Sequence, residues 1–510
     1  MTENGRRKLL LINPANKARD GFINDPSTRF MPLGLGIVAA LTPAHWEVEF
    51  LDESFEEFTL KHADIVAITS FTANAPRAYE IAALYRKAGI HTVMGGIHAS
   101  MCTEEVINYC DTVITGEAEG AWPAFISDFE SGKTRRLYEG GITGIHDIPR
   151  PRRDIYKYPY IYDLVQTSRG CPNGCDFCSV TQMCGKTYRE RDVEEVLDEL
   201  EETTRPMLFF VDDNLVNNKK GADERAIRLF KGMVERGMKK AWFSQAALNF
   251  ADNDEVLYWA RKSGCKLMFI GIEAETRQAL KDVRKNLNLS RGVGSYEKIV
   301  KKMHKNGIGI LGFMIFGMES DTIEDLYARA RFVKKSAVDA YQCTILTPLP
   351  GTDLYKRMKA QDRIALNNYP DDWQQYDHTK ATLNMPNMDP GEIESAMHGI
   401  WLDLYDKETM RRKMFRTLWN TKSFMTAYWA YASNHNYSRM FFENIPLSRM
   451  NAVNSGIPRK NLQRTLYLRF TDKIMWLIYQ LVWTKMNRRL SGLKKNRGIT
   501  RTFFSERSSF

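Results

Sequence analysis

Short, uniformly apolar segments recur through the first 140 residues. Lys8–Asn13, Val48–Asp52, Ile65–Thr69, His91–Met94 and Thr112–Thr115 carry apolar residues at successive rather than alternate positions, and intervening stretches such as Pro76–Ala88 have helical spacing. A strand that is apolar on both faces belongs in a parallel sheet covered on both sides, so residues 1–140 are expected to form a doubly wound, Rossmann-like α/β domain. Residues 141–161, with Pro149, Pro151, Pro159 and several tyrosines, interrupt the pattern and read as an irregular linker. Strand and helix then alternate again from 162 to 360, with strands at Tyr162–Thr167, Leu208–Val211, Ala241–Gln245, Leu267–Gly271, Gly309–Gly317 and Tyr341–Leu346. Residues 361–510 read as mainly helical and rich in large side chains.

Sites in parallel sheets and barrels lie at the carboxyl ends of the strands. Directly after the first strand of the second set comes Ser168-Arg169-Gly170-Cys171-Pro172-Asn173-Gly174-Cys175-Asp176-Phe177-Cys178. Three thiolates on one loop can hold three irons of a [4Fe-4S] cube and leave the fourth iron open, because cysteine is the usual cluster ligand. A structural zinc site would call for four ligands in two paired knuckles, and no second CxxC is present. The CxxxCxxC spacing, with the aromatic Phe177 before the third cysteine, resembles the radical S-adenosylmethionine (SAM) superfamily. The resemblance implies that Cys171, Cys175 and Cys178 hold the cluster, that SAM chelates the open iron, and that the six βα units form a partial (β/α)6 barrel.

The resemblance also extends to later strand ends. It implies SAM contacts from Phe177, from Asp212, Asp213 and Asn214 (amino group), from Gln245, from Glu273 (ribose), from Gly312 beside the adenine and from Thr347 at the barrel mouth. A helix cap or ordinary turn is the alternative at each, since Asp, Asn and Thr serve those purposes as well. Tyr188, Arg189 and Arg191 follow the cluster loop, where a basic side chain could pair with the SAM carboxylate or anchor the first barrel helix.

The strand ends of the first domain carry Ser70-Phe71-Thr72-Ala73-Asn74, Gly95-Gly96-Ile97-His98 and Gly116-Glu117-Ala118-Glu119-Gly120. Glycine there lets the backbone approach a large flat ligand. With Pro32-Leu33-Gly34 and Asp52-Glu53-Ser54, this region resembles the cobalamin-binding domain that precedes many radical SAM cores, implying contacts from Gly34, Ser70, Thr72, Asn74, Gly95, Gly96, His98, Gly116 and Glu117. The Asp-x-His-x-x-Gly pattern that supplies a histidine beneath cobalt in classical mutases is absent, so no lower ligand is assigned. Gly34-Leu-Gly36-Ile-Val-Ala39 imitates a dinucleotide fingerprint, but about twenty residues separate it from the end of the first strand, whereas that fingerprint needs its glycines in the first turn.

Composition narrows the class without changing this picture. With 43% apolar and 26% charged residues the chain reads as a globular enzyme. No stretch reaches the roughly 18–20 apolar residues of a membrane span, and no secretory signal is visible, so a cytoplasmic protein is expected. Eight scattered cysteines do not suggest a disulfide framework. Of the +10 formal charge, +7 lies in residues 484–510, where eight Lys and Arg face only Glu506, so no nucleic-acid partner is expected. The apolar run Ile474–Trp483 before that tail suits a peripheral membrane contact; a packed C-terminal helix with a solvated tail is the alternative.

Taken together, the resemblance implies a cobalamin-dependent radical SAM enzyme similar to hopanoid methylases. It would methylate an unactivated carbon of an apolar, lipid-like small molecule, using a [4Fe-4S] cluster, SAM, cobalamin and a low-potential electron donor. A cyclase or carbon–carbon bond-forming enzyme on a lipid, tetrapyrrole or natural-product intermediate is the alternative.

Overall fold

The computed structural model describes residues 6–16 and 30–442. The apolar run Ile474–Trp483, the basic tail and the membrane contact expected of them lie outside the described residues.

Apolar residues in succession build the first sheet. Its strands are β1 (Lys8–Asn13), β2 (Glu47–Asp52), β3 (Ile65–Thr69), β4 (His91–Gly95), β5 (Thr112–Thr115) and β6 (Leu137–Glu139), all parallel, in the order β2-β1-β3-β4-β5-β6. Leu9, Leu10, Leu11 and Ile12 are all fully buried, as a strand covered on both faces requires. Strand order reverses between β1 and β3, the switch point beside which such sheets bind ligands. The edge strand β6 was not foreseen; three residues are too few to show periodicity.

The second sheet holds six parallel strands: β7 (Tyr162–Val165), β10 (Met207–Phe210), β11 (Ala241–Ala246), β12 (Cys265–Glu273), β13 (Gly309–Phe316) and β14 (Ala340–Ile345). Between β7 and β10 a two-residue antiparallel ladder pairs β8 (Ser168–Arg169) with β9 (Arg189–Glu190). The interior of the arc is aromatic. The rings of Phe209, Phe243, Phe269 and Phe313 form a continuous contact series, with successive centroids 4.5, 5.1 and 6.0 Å apart.

Helices Pro390–Leu404, Lys407–Thr421 and Phe424–Phe442 follow the barrel. The last reaches both edge strands. Trp429 meets Tyr162 of β7 edge-on at 6.4 Å and Phe243 at 5.4 Å, while Asn434 accepts from Tyr341 N at the start of β14 and donates to Asp339 O. Among the described residues no helix is long and apolar enough to cross a membrane.

Arg329, fully buried behind the barrel, grips Asp321 with two bonds of 2.6 and 2.8 Å, Glu275 at 2.8 Å and the Ile315 carbonyl at 2.8 Å. Removing one partner of a buried ion pair strands the other charge. Arg329→Met is therefore expected to cost about 3–5 kcal/mol, seen as a lowered denaturant midpoint; an unshifted midpoint would contradict this account of the barrel wall.

Candidate active site

A cavity of about 200 Å³ opens at the carboxyl ends of β3, β4 and β5 and runs between the sheet and helix Leu33–Leu41. Its walls are apolar, from Leu35, Ile37, Val38, Ile68, Val93 and Trp122, and its rim carries Gly34, Gly95, Gly96, Gly116 and Glu117, five of the residues expected there. Gly96 has φ +93°, and a Cβ on it would lie 2.8 Å from Thr69 Oγ1. Ser70, next to the lining residue Thr69, has its hydroxyl buried without a hydrogen-bond partner among the described residues.

Thr72, Asn74 and His98, three of the expected contacts, do not line this cavity. His98, fully buried, lies 3.3 Å from Thr72 Oγ1, 3.0 Å from the Tyr79 hydroxyl and 3.6 Å from Glu105. Trp373 packs edge-on against it and donates to Glu105, so His98 and Thr72 tie the first sheet to the segment after the barrel. Asn74 accepts from Phe71 N at 2.7 Å and donates to Pro14 O at 2.9 Å, closing a turn. Of the dinucleotide-like glycines, Gly36 is accounted for by packing: a Cβ on it would stand 2.6 Å from the Tyr156 hydroxyl.

At the second sheet, the β8–β9 ladder closes the loop that carries Cys171, Cys175 and Cys178. Gly170, with φ +91°, lets the chain enter that loop; a Cβ there would lie 2.3 Å from the Thr187 carbonyl oxygen. All three thiols are free. Burial raises each above its ordinary value, Cys178 to about 12, and the neighbouring Cys175 and Cys171 add to the effect there. Among the described residues the sulfurs do not yet form a ready-made metal array. Binding of iron deprotonates coordinating thiols and organises such loops, so a donor set of three reduced cysteines on one segment fits a cluster with an open iron.

The expected SAM contacts divide into two groups. Asp212 is fully buried, accepting from Thr167 N at 3.2 Å, Thr167 Oγ1 at 2.8 Å and the Ser168 hydroxyl; Asn214 accepts from Ala247 N at 3.0 Å; and Thr347 donates to Ile345 O at 3.1 Å. These three hold backbone in place. A Cβ on Gly312 would meet Ile272 at 2.8 Å and the Tyr341 ring at 3.0 Å, so this glycine serves packing between strands. Asp213, Gln245, Phe177 and Glu273 remain near the loop or at strand ends. Asp213 accepts from Gly170 N at 3.0 Å, and burial pushes its carboxyl up to about 6. Gln245 is half-buried at the end of β11.

Glu273 shows a feature absent from the sequence reading. It has φ +62°, lies beside an irregularity in the β12–β13 pairing, and bonds at 2.7 Å to the buried ammonium of Lys285. Burial alone would lower the lysine, but Glu273 and the nearby Cys175 hold it above its ordinary value. Its Nζ stands 5.9 Å from the Phe177 ring centroid. A Cβ on Gly271 would lie 2.3 Å from Glu273 Oε1, so that glycine makes room for the pair. Lys285 sits twelve positions after Glu273, and no strand-end motif marked it.

The two halves meet at one rim. Arg169, Met183 and Cys184, which flank or follow the cysteine loop, also line the cavity of the first sheet. Arg169 Nη1 lies 3.3 Å from Glu117 and Nη2 2.8 Å from Glu119. Arg189 pairs with Glu117, and Arg191 bonds to Glu199 and to the Gln166 carbonyl, anchoring the first barrel helix. Burial alone would raise the Glu117 carboxyl, but Arg189, Thr143 and Arg169 hold it down to about 2. Its stabilising contribution is thus complete above the ordinary value of 4.5 and is lost only as pH falls towards 2.

Comparison with known proteins decides what this arrangement is. Residues 22–126 match the B12 binding domain and residues 165–333 the Radical SAM superfamily. Bacteriochlorophyllide d C-12(1)-methyltransferase of Chlorobaculum tepidum is 32% identical over 392 residues, covering 74% of this chain and 82% of that one. The chain belongs to the cobalamin-dependent radical SAM methyltransferases. Hopanoid C-2 methylase of Rhodopseudomonas palustris is 25% identical, over 67% of each chain. The fold is that of the radical SAM methyltransferase TsrM from Kitasatospora setae, solved with cobalamin and a [4Fe-4S] cluster bound, at a TM-score of 0.60 and 15% identity over 88% of this chain and 100% of that one.

The cofactors of this methyltransferase are therefore cobalamin, a [4Fe-4S] cluster and SAM. The glycine rim, the apolar slot and the unpartnered Ser70 hydroxyl fit the first, and the cysteine loop fits the other two. Gly96→Val places a β-branched residue at positive φ, a strain of about 1–3 kcal/mol at the rim. It is expected to weaken cobalamin retention by about tenfold, read as cobalt per chain, while thermal unfolding stays cooperative. Replacing Cys171, Cys175 and Cys178 by alanine is expected to abolish cluster incorporation and 5′-deoxyadenosine formation; persistent 5′-deoxyadenosine would refute the triad.

Proposed function

We propose that this methyltransferase places a methyl group on an unactivated carbon of a large, apolar, polycyclic or lipid-like small molecule. The observation that carries the methyl-transfer reading is the shared rim: residues flanking the cysteine loop line the cavity at the carboxyl ends of the first sheet. A substrate above that rim lies between both cofactors. The cluster and SAM supply the radical, cobalamin carries the methyl group, and the protein positions and shields them.

The chain's own residues divide the remaining work. Cys171, Cys175 and Cys178 would hold the cluster, the Phe177 ring centroid lies 5.9 Å from the Lys285 ammonium, and Lys285 with Glu273 presents a charge pair at the loop. Asp213 keeps the neck of the loop in place through Gly170 N. The barrel interior is apolar, its ring series Phe209, Phe243, Phe269 and Phe313 packed against Trp429 of the last helix, so the polycyclic class of substrate rests on the relatives. Two of the relatives, named for bacteriochlorophyllide and hopanoid methylation, act on molecules of that kind. A low-potential electron donor is the expected protein partner.

The test is an anaerobic assay with the cluster and hydroxocobalamin loaded, a low-potential reductant, and a panel of tetrapyrrole and polycyclic isoprenoid acceptors, with methyl-deuterated SAM. A product gaining one labelled methyl group, dependent on cobalamin, is expected. A product that instead loses hydrogens, formed equally well without cobalamin, would replace this reading with that of a cyclase.

A further inference from the structure

The β8–β9 ladder is the neck of the cluster loop. Arg169 and Arg189 face each other across it, and all three cysteines lie between them in sequence. Both arginines grip one carboxylate from the other sheet. Arg169 Nη1 stands 3.3 Å from Glu117 Oε2, and Arg189 donates to both Glu117 oxygens, at 2.9 Å to Oε2. Arg189 also donates to the Thr143 carbonyl and, at 3.1 Å, to the Cys184 carbonyl. Glu117, Arg169 and Cys184 line the cavity, whereas Arg189 stands behind them. A planar guanidinium forked across a carboxylate resists rotation in a way that a single bond does not. A molecule filling the cavity would contact Glu117, Arg169 and Cys184, all of which are bonded to or belong to the neck and the chain beside it.

We propose that Arg189 is a positioning residue that makes cofactor occupancy of the cavity and SAM binding at the cluster loop interdependent. The proposal rests on the cobalamin reading of the cavity. Arg189 touches neither ligand and acts through Glu117 and the Cys184 carbonyl. By linkage, the factor by which cobalamin changes SAM affinity equals the factor by which SAM changes cobalamin affinity.

The experiment measures the SAM dissociation constant on the full chain with its cluster loaded and oxidised, so that SAM is not cleaved, with and without hydroxocobalamin. In the wild type, cobalamin is expected to tighten SAM binding by about fivefold or more. Arg189→Gln is expected to bind cobalamin at wild-type stoichiometry with a factor near one. Arg189→Lys, which keeps the charge but not the fork, is expected to fall between, and it keeps the test open should the glutamine variant fail to hold its cluster. The full wild-type factor in either variant overturns the proposal, as does a wild-type factor of one with cobalamin bound. A wild type that binds no cobalamin overturns the cavity assignment itself, and the coupling with it.

Discussion

Two buried carboxylates at the rim, Glu117 and Glu119, carry the salt bridges between the two halves of the site. A desolvated charge of this kind is costly unless paired, and here the pairing comes from the other sheet, from both strands of the cluster loop's neck. The demand for partners thus fixes the cysteine loop against the cavity rim. Each half is stiff in its own right, because parallel sheets buried on both faces leave little freedom at their carboxyl ends. Rigid ends joined by these charge-assisted bonds bring the cysteine loop to the cavity rim.

Much of the fold was legible because its signals are local. The succession Leu9-Leu10-Leu11-Ile12 suits a strand with two covered faces, and that is how it is buried. The cysteine spacing carries chemistry within one loop, and of the glycines that mark the cavity, 96 and 116 have positive φ and no room for a Cβ.

What was not legible depends on pairs far apart in sequence. Glu117 with Arg189, and Glu105 with Trp373, are set by how distant segments meet, and single-strand patterns do not record that. Lys285 is hidden for the same reason: it reaches the loop from a helix–turn region after β12. Polar residues at strand ends are read less easily: Asp212, Asn214 and Thr347 have the residue types of ligand contacts, and each also bonds to nearby backbone, a use that the sequence does not separate from ligand binding.

The central claim is that the cavity of the first sheet and the cysteine loop form one site. The most direct measurement is electron paramagnetic resonance of the enzyme carrying both cob(II)alamin and the reduced cluster. A shared rim predicts that the two paramagnets broaden and split each other's signals relative to samples containing either alone. Spectra that are the simple superposition of the two single-cofactor spectra would contradict it.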